Sequence, residues 1–509
     1  METFPLLSAL LFLPLVASVT MTALRDERVA RLAAWAFAGV ELLLAGVMIL
    51  RFQSGVPGPQ LVENGFLIPG LGVQYHLGVD GISALFVPVA ALMTLLMVLH
   101  TDEQAGGARQ NLASIFAMEA STVGVLVSLD LGLWWLFLTL EVWPAYLVIR
   151  RWGTGERRHE VARRFAAFMA VSVVTSLAAV VWLRVQGAGR PFPLSVTSWM
   201  QDPLAAAAQE PVFLLLLLAL AIRIPVFPFH TWLPQVVEHG PLVGVTVFFL
   251  GLKVGAYSLL RVVIPVLPDA AQHWAWLMAG LGVAGLLHGG LIAMVEPNLR
   301  RMLAFASVSH VGGVLLGIAS LTMAGFQGAL LQMLSLGVCV VCLFFLAGFL
   351  QRRTGAVDAP SLGGLVHRVP RLSVVFLVMA MACVGMPGTS GFNGEHLIML
   401  GALRANWLWG LAAGVGTLLS AAYFLIYFQR AFIRAPVVNT ASPISDLTAR
   451  EWLTCGTLCA LVFWCGLFTG PFLDVMNGSL KSLAHKVDRR AHTTVTTLEQ
   501  QPGSNHALE

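Results

Sequence analysis

The sequence predicts an all-α integral membrane protein of about 14 transmembrane helices, with two inverted repeats (spans 4–8 and 9–13) and breaks in helices 7 and 12. Three observations lead there. Of 509 residues, 57% are apolar and 11% charged, and the mean hydropathy is +0.80; soluble domains carry roughly 25% charged residues. Apolar stretches of about 20 residues, the length that crosses a bilayer, follow one another along the chain with short gaps. Two of these stretches are interrupted by proline, one at Pro225 and Pro228 and the other at Pro387-Gly388.

The stretches begin near Pro5, Leu32, Val79, Leu112, Leu131, Phe165, Pro211, Leu242, His273, Met302, Phe326, Leu372, Leu408 and Trp452. The first has neither a basic leader nor a small-residue cleavage site, so it is expected to stay as a span. Residues 1–110 are assigned to spans 1–3, 111–263 to the first repeat, 264–434 to the second, 435–480 to the last span and 481–509 to a polar tail. The tail lacks apolar periodicity and is expected to be disordered.

Lysine and arginine concentrate in the odd-numbered loops, most densely at Arg150, Arg151, Arg157, Arg158, Arg163 and Arg164. Positive loops stay cytoplasmic, which puts both termini on the periplasmic face. Lys481, Lys486, Arg489 and Arg490 run against that placement, but a segment after the last span has little say.

The prolines have a specific consequence. Each removes a backbone donor and clashes with the preceding turn. In lipid, the freed carbonyls find partners only in protein or in a wet cavity. Two such breaks five spans apart, each in the fourth span of its repeat, point to a pathway at the membrane midplane.

The six cysteines, Cys339, Cys342, Cys383, Cys455, Cys459 and Cys465, all fall in predicted spans. Cys339-Val-Val-Cys342 has the spacing of a metal or redox pair, yet no His, Asp or Glu stands beside it, so packing is expected. No Walker loop, dinucleotide turn or iron–sulfur cysteine set is present. Nucleotide or redox chemistry is therefore assigned to a partner, and no cofactor or metal is expected on this chain.

The informative residues are those that break the apolar rule, because an ionisable side chain deep in a bilayer is costly and tends to mark an ion or proton path. Glu141 lies in WWLFLTLEVWPAY, one turn before Pro144; a helix-end carboxylate is its alternative. Arg223, in AIRIPVFPFHTWLP, stands at the first break. Lys253, in VFFLGLKVGAYSLL, is too deep in span 8 to reach the interface. His310 is midway along span 10 in ASVSHVGGVL, either as a relay or as a histidine bonded to a neighbouring helix. Glu395 follows the break MPGTSGFNGE. Glu119, in span 4, is a further candidate that can equally reach a helix end. Together they predict a polar axis across the membrane. Glu141 pairs with Arg223 or Lys253, each offsetting the other's desolvation, Lys253 exchanges a proton, His310 relays it and Glu395 is the acid at the far end.

Six stretches carry a resemblance: HLGVDGIS (76–83), LEVWPAYLVI (140–149), RIPVFPFHTWLP (223–234), LKVGAYSLLR (252–261), RRMLAFASVSHVGGVLLGI (300–318) and MPGTSGFNGEHLIMLG (386–401). In order and spacing they resemble the antiporter-like subunits of respiratory complex I, most closely the subunit M branch, over roughly residues 75–475. The length and short tail disfavour the subunit L branch, whose long lateral helix has no counterpart expected here. By position, the resemblance implies that Glu141 is the fifth-helix glutamate, Lys253 the eighth-helix lysine leading to the exit half, His310 the tenth-helix histidine and Glu395 the twelfth-helix glutamate. His230 and Trp232 match the HxWLP signature, with a structural role at the break.

Two positions depart from the family pattern. Arg223 stands where the family has a lysine, and arginine remains charged in proteins; it is read as a fixed charge that anchors Glu141 and orients water. QMLSLG places Leu336 where a QMxxHG histidine is usual. The function implied is a proton-translocating membrane subunit of a complex I-type NADH:quinone oxidoreductase, multi-pass in a bacterial inner (plasma) membrane. It would act with other membrane subunits on protons or Na+, and with no nucleic acid. The alternative is a proton- or cation-conducting subunit energising a non-redox partner, such as an inorganic-carbon (bicarbonate/CO2) uptake complex or a multisubunit Na+/H+ antiporter. A membrane scaffold with no transport role is the third reading.

Overall fold

The computed structural model describes residues 4–101, 107–241, 254–435 and 444–499, with backbone alone at 66, 67, 69 and 489–499. Among these residues the chain is helical apart from one antiparallel hairpin, β1 (Gln60–Ile68) and β2 (Val73–Val79). Ten helices are long and apolar enough to span a membrane, or eleven if one bent pair counts as a single span. Phe86–Leu99, Val254–Val266 and Pro370–Cys383 are apolar but shorter. Among the described residues the expected count of about 14 is therefore not reached by length and composition alone, because these three are short and residues 242–253, ahead of Val254, lie outside the described residues.

The first four helices are α1 (Leu6–Ala23), α2 (Glu27–Arg51), α3 (Phe86–Leu99) and α4 (Ala108–Val127). Asp26 caps α2 by accepting the Arg28 N–H at 2.7 Å, a bond that satisfies one of the free donors at a helix start. The hairpin is tied to α1 by Glu63, whose carboxylate accepts the N–H groups of Leu7 and Ser8 at 2.8 and 3.0 Å. A negative side chain at a helix N-terminus also opposes the positive end of the helix dipole.

The next span is two helices in line, α5 (Leu131–Leu140) and α6 (Val142–Trp152), with Glu141 at their junction. It is followed by α7 (Arg158–Gln186) and α8 (Ala206–Arg223). Here the chain breaks, and resumes in α9 (Trp232–His239). Several backbone groups at the break find partners nearby. Ile224 N–H donates to Leu220 O at 2.7 Å, Val226 N–H to Ala221 O at 3.1 Å, and the indole of Trp232 to Ile222 O at 3.0 Å. Trp232 thus closes the break from its own far side, which gives the HTWLP stretch its structural role.

Beyond it lie α10 (Val254–Val266), α11 (Ala275–Val295), α12 (Leu299–Ala319) and α13 (Met323–Thr354). Gly282 and Gly289 of α11 lie against the backbone of Gly312 and Ser309 in α12, where a side chain would collide, and small residues let membrane helices approach this closely. α13 is apolar around its circumference and buried over its whole apolar window; such a helix belongs at the centre of a bundle. It stops at Gly355, whose φ of +73° is open to glycine and strained for other residues.

The second break separates α14 (Pro370–Cys383) from α15 (Ser390–Ala405), with Gly385 and Gly388 at φ +80° and +87°. Both interruptions therefore occur at the expected prolines. The chain continues through α16 (Trp407–Phe428), α17 (Ala449–Leu467) and α18 (Thr469–Glu499), the last two bent by 70°.

The tail differs from expectation. Lys481–Glu499 is helical, as the continuation of α18. Met476, Leu480, Leu483 and Val487 are buried at steps of four, three and four, a narrow apolar stripe diluted by the polar residues between. Ser479 accepts the Gly81 N–H at 3.0 Å, Gln272 donates to Val487 O at 2.6 Å, and Lys486 donates to the carbonyls of Met200 and Pro265. Tertiary contacts order a segment whose composition reads as disordered.

Candidate functional site

Arg223 ends α8 at the first break, where the helix carbonyls turn away and leave room for a large side chain. Its Nη1 pairs with Glu141 Oε2 at 2.9 Å, its Nη2 donates to Leu138 O at 2.5 Å, and its Nε donates to the Ser172 hydroxyl at 3.2 Å. Ser172 in turn donates to Ala219 O at 2.8 Å. Both charged side chains are buried. A buried charge persists only when paired and hydrogen-bonded, and here the planar guanidinium serves three acceptors from a single position. Gly255 of α10 packs so closely on Ile224 and Arg223 that a Cβ there would collide. α10 is further held by Tyr257, which donates to Leu126 O at 2.7 Å, and by Ser258, which accepts the Trp134 indole at 2.9 Å. Lys253 lies outside the described residues.

His230, just beyond the break, stacks on Phe227 and meets His288 of α11 edge to face, with ring centroids 4.9 Å apart. Phe305 of α12 covers the other side. A cavity of about 280 Å3 leads away from His230 between Arg157, Glu160, Glu238, His239 and Arg301. Near it, Arg300 of α12 donates to the Gly240 carbonyl at the end of α9 at 2.7 Å, and to Thr154 and Gln351 at 3.3 Å each. A cation at a helix C-terminus meets its free carbonyls and the negative end of its dipole. In this way α12 grips the half-helix that follows the first break.

Glu395 stands in the first turns of α15. Its Oε1 faces His310 Nδ1 at 3.5 Å and accepts from Gln332 Nε2 at 3.3 Å; its Oε2 accepts from the Thr417 hydroxyl at 3.2 Å. His310 Nε2 meets the Tyr423 hydroxyl at 3.0 Å. A Cβ on Gly385 would come within 2.8 Å of the same carboxylate, so this glycine provides room as well as its left-handed turn. His310, Gln332, Glu395 and Thr417 line a cavity of about 30 Å3, space for one or two waters. Gln332 is one turn ahead of Leu336 and supplies a polar contact on a helix that lacks the expected histidine. Ser335 and Ser390 share a hydrogen bond of 2.8 Å that fastens α13 to α15.

The predicted residues thus gather in two groups, Glu141 with Arg223 and His310 with Glu395. Among the described residues no hydrogen bond or ion pair joins the groups. Glu119 belongs to neither, being buried at mid-helix in α4. The sequence reading passed over Ser172, His288, Gln332, Thr417 and Tyr423, whose types are common in membrane helices and whose spacing carries no signal. It also passed over the pair Asp80–Arg261, buried at 2.9 Å between the hairpin and α10, although both residues lie in stretches that carried the family resemblance. Burial and the Arg261 guanidinium hold His76 of β2 below the ordinary histidine range.

Comparison with known proteins agrees with this architecture. Residues 128–420 match the family described as NADH:quinone oxidoreductase/Mrp antiporter, TM. The chain is 30% identical over 498 residues to NADH-quinone oxidoreductase subunit M of Rickettsia bellii, covering 96% of this chain and 100% of that protein. To the Rhodobacter capsulatus protein of the same name it is 31% identical over 517 residues, covering 98% and 99%. It superposes on a chain of respiratory complex I from Thermus thermophilus with bound NADH at a TM-score of 0.87 and 30% identity, covering 94% and 99%. A chain of the Mrp complex from a Dietzia species gives a TM-score of 0.81 at 22% identity, a likeness of fold alone. The chain belongs to the membrane-subunit family of NADH:quinone oxidoreductases and Mrp antiporters.

Proposed function

We propose that this chain is a proton-translocating membrane subunit of a complex I-type NADH:quinone oxidoreductase. The observation that carries the reading is that each helix break holds an acid against a basic partner, Arg223–Glu141 at 2.9 Å, with both side chains buried, and His310–Glu395 at 3.5 Å, with the histidine buried and the acid partly so. Interrupted helix and charged side chains meet at both breaks, and the two acids answer to basic groups of different kinds. Arg223 is a fixed charge: it holds Glu141 and sets the field at the first break. His310 is read as the relay, with Glu395 on one ring nitrogen and Tyr423 on the other, so a proton can pass through the ring by exchange of tautomers. Lys253 is assigned the step between the two groups, and residues 111–263 and 264–434 are read as the two units that carry them. Both termini are assigned to the periplasmic face of a bacterial inner membrane.

The end-to-end relatives are quinone oxidoreductase subunits, whereas the likeness to the Mrp chain stops at the fold. This favours the redox-driven reading over a non-redox partner. The test is to purify the tagged chain from its native membrane in mild detergent. Co-purification with NADH:quinone activity, and proton uptake into vesicles that falls in a Glu395→Gln variant with electron transfer still measurable, is expected. Co-migration with a non-redox partner and no such activity would overturn it.

A further inference from the structure

Two buried carboxylates lie outside both groups. Glu41 is near the middle of α2, Glu119 near the middle of α4, and Thr94 near the middle of the intervening α3. Glu41 is 1% exposed and Glu119 3%. The two carboxyls are within electrostatic reach of each other, and the Thr94 hydroxyl faces Glu119. None of their four carboxylate oxygens has a well-formed hydrogen bond among the described residues.

Among the described residues no cation pairs with either carboxylate. α1 and α3, which pack on α2 and α4, and α5, which packs on α4, carry no titratable residue; of the other elements on α4, α6 has Tyr146 and, in its last turn, Arg150 and Arg151, and β2 has Tyr75 and His76. The other charged residues of α2, Glu27, Arg28, Arg31 and Arg51, are near its two ends. Arg109 opens α4, and its guanidinium is directed to the Leu24 carbonyl.

Two unpaired carboxylates cannot both be ionised in a dry interior, because each costs several kcal/mol to bury and each opposes ionisation of the other. The site must therefore hold a positive species. α2 and α4 are continuous helices, so their carbonyls are engaged in helix bonds and are not free to ligate, in contrast to those at the two breaks. A metal cation would find few oxygens beyond the carboxylates and one hydroxyl, whereas a proton needs only a single carboxylate oxygen. We propose that Glu41 and Glu119 form a proton-binding carboxyl pair, holding at least one proton between them at mid-membrane in the N-terminal helices, apart from the two charged groups at the helix breaks. The proposal does not depend on the pump reading, since the pair would hold its proton in a scaffold as well.

An apolar cavity of about 430 Å3, lined by Leu42 and Gly46 of α2 and by Pro88 and Leu92 of α3, opens between the same helices and can admit a hydrophobic carbodiimide, a reagent for protonated carboxyls in lipid. The whole complex in native membranes is treated with dicyclohexylcarbodiimide at several pH values, with and without Na+, and the adducts are mapped by mass spectrometry. In parallel, infrared spectra of the wild type and of E41Q/E119Q are compared for a protonated-carboxyl C=O stretch. The expected result is an adduct on Glu41 or Glu119 that is lost at high pH and indifferent to Na+, and a carboxyl band that is lost in the double variant. Protection by Na+ at constant pH would overturn the proposal in favour of a cation site. A carboxyl band unchanged in the double variant would overturn it whether or not the reagent reaches the pair.

Discussion

Arg223 and Glu141 form a buried ion pair of 2.9 Å in which the guanidinium also serves the Leu138 carbonyl and the Ser172 hydroxyl. Removing one member of such a pair strands the other, at a cost of about 3–5 kcal/mol. Arg223→Ala is therefore expected to lower the melting temperature of the purified complex or block its assembly on a native gel. Arg223→Lys keeps the charge but surrenders the fork, and is expected to assemble and to gain proton flux in proteoliposomes. Unchanged activity in Arg223→Ala would count against the fixed-charge role.

Glu395 is bound on both oxygens, by Gln332 and Thr417, and faces His310. Glu395→Gln retains the shape and removes the charge, so the fold should persist while proton uptake drops by about a hundredfold or more, the scale of a general acid–base contribution. Gln332→Leu removes one neutral donor and should have a smaller effect. Fluorescence quenching in energised vesicles measures both, and equal losses in the two variants would show that packing, not charge, is at stake.

Asp80 and Arg261 join the hairpin to α10 through a buried bond of 2.9 Å. Either Asp80→Asn or Arg261→Met alone leaves the partner's buried charge unmatched. The double variant leaves none and is expected to be more stable than the sum of the two single losses predicts, with a coupling of about 0.5–3 kcal/mol. Thermal melts of the four proteins decide this; strict additivity would mean that the pair is not coupled in solution.

His76 shares that corner, and its depressed pKa has a sign. The folded chain prefers the neutral ring, so the stability it contributes is present above the ordinary histidine range and is lost as the pH falls through that range toward the folded value. His76→Gln should flatten the acid side of the melting profile. An unaltered profile would rule out this histidine as the cause.

Leu480 is buried on the stripe that docks α18. Leu480→Asp places an unpaired charge there and is expected to detach the helix. Limited proteolysis should then cut between residues 469 and 499, sites that are resistant in the wild type. Resistance in the variant would mean that the polar bonds of Gln272 and Lys486 suffice to hold the helix.

Much was legible because the membrane imposes a simple rule. Apolar runs of sufficient length must be helices, so composition announced the class. Proline within such a run can interrupt it, and both interruptions fall at Pro225–Pro228 and Pro387, whereas Pro14 and Pro211 sit inside continuous helices. Glu141, Arg223, His310 and Glu395 stood out by the same rule, as charges or titratable rings where none is expected. The helical tail was missed because its four apolar contacts are separated by polar residues, and what orders them lies elsewhere in the chain, at Gly81, Met200 and Pro265.

The linear chain determined which segments enter the lipid, where two of them break and which side chains are too costly to be idle, because each of these depends on local polarity and on the backbone chemistry of proline. Only the folded bundle decided that Arg223 meets Glu141, that Gln332 of α13 serves Glu395 of α15, and that Glu41 comes within electrostatic reach of Glu119. Those partners are separated by 82, 63 and 78 positions respectively, and in a bilayer every helix is apolar to its neighbours. Pairing is then set by close packing and by the few polar groups that must find each other, a property of the assembled helices that local sequence does not encode.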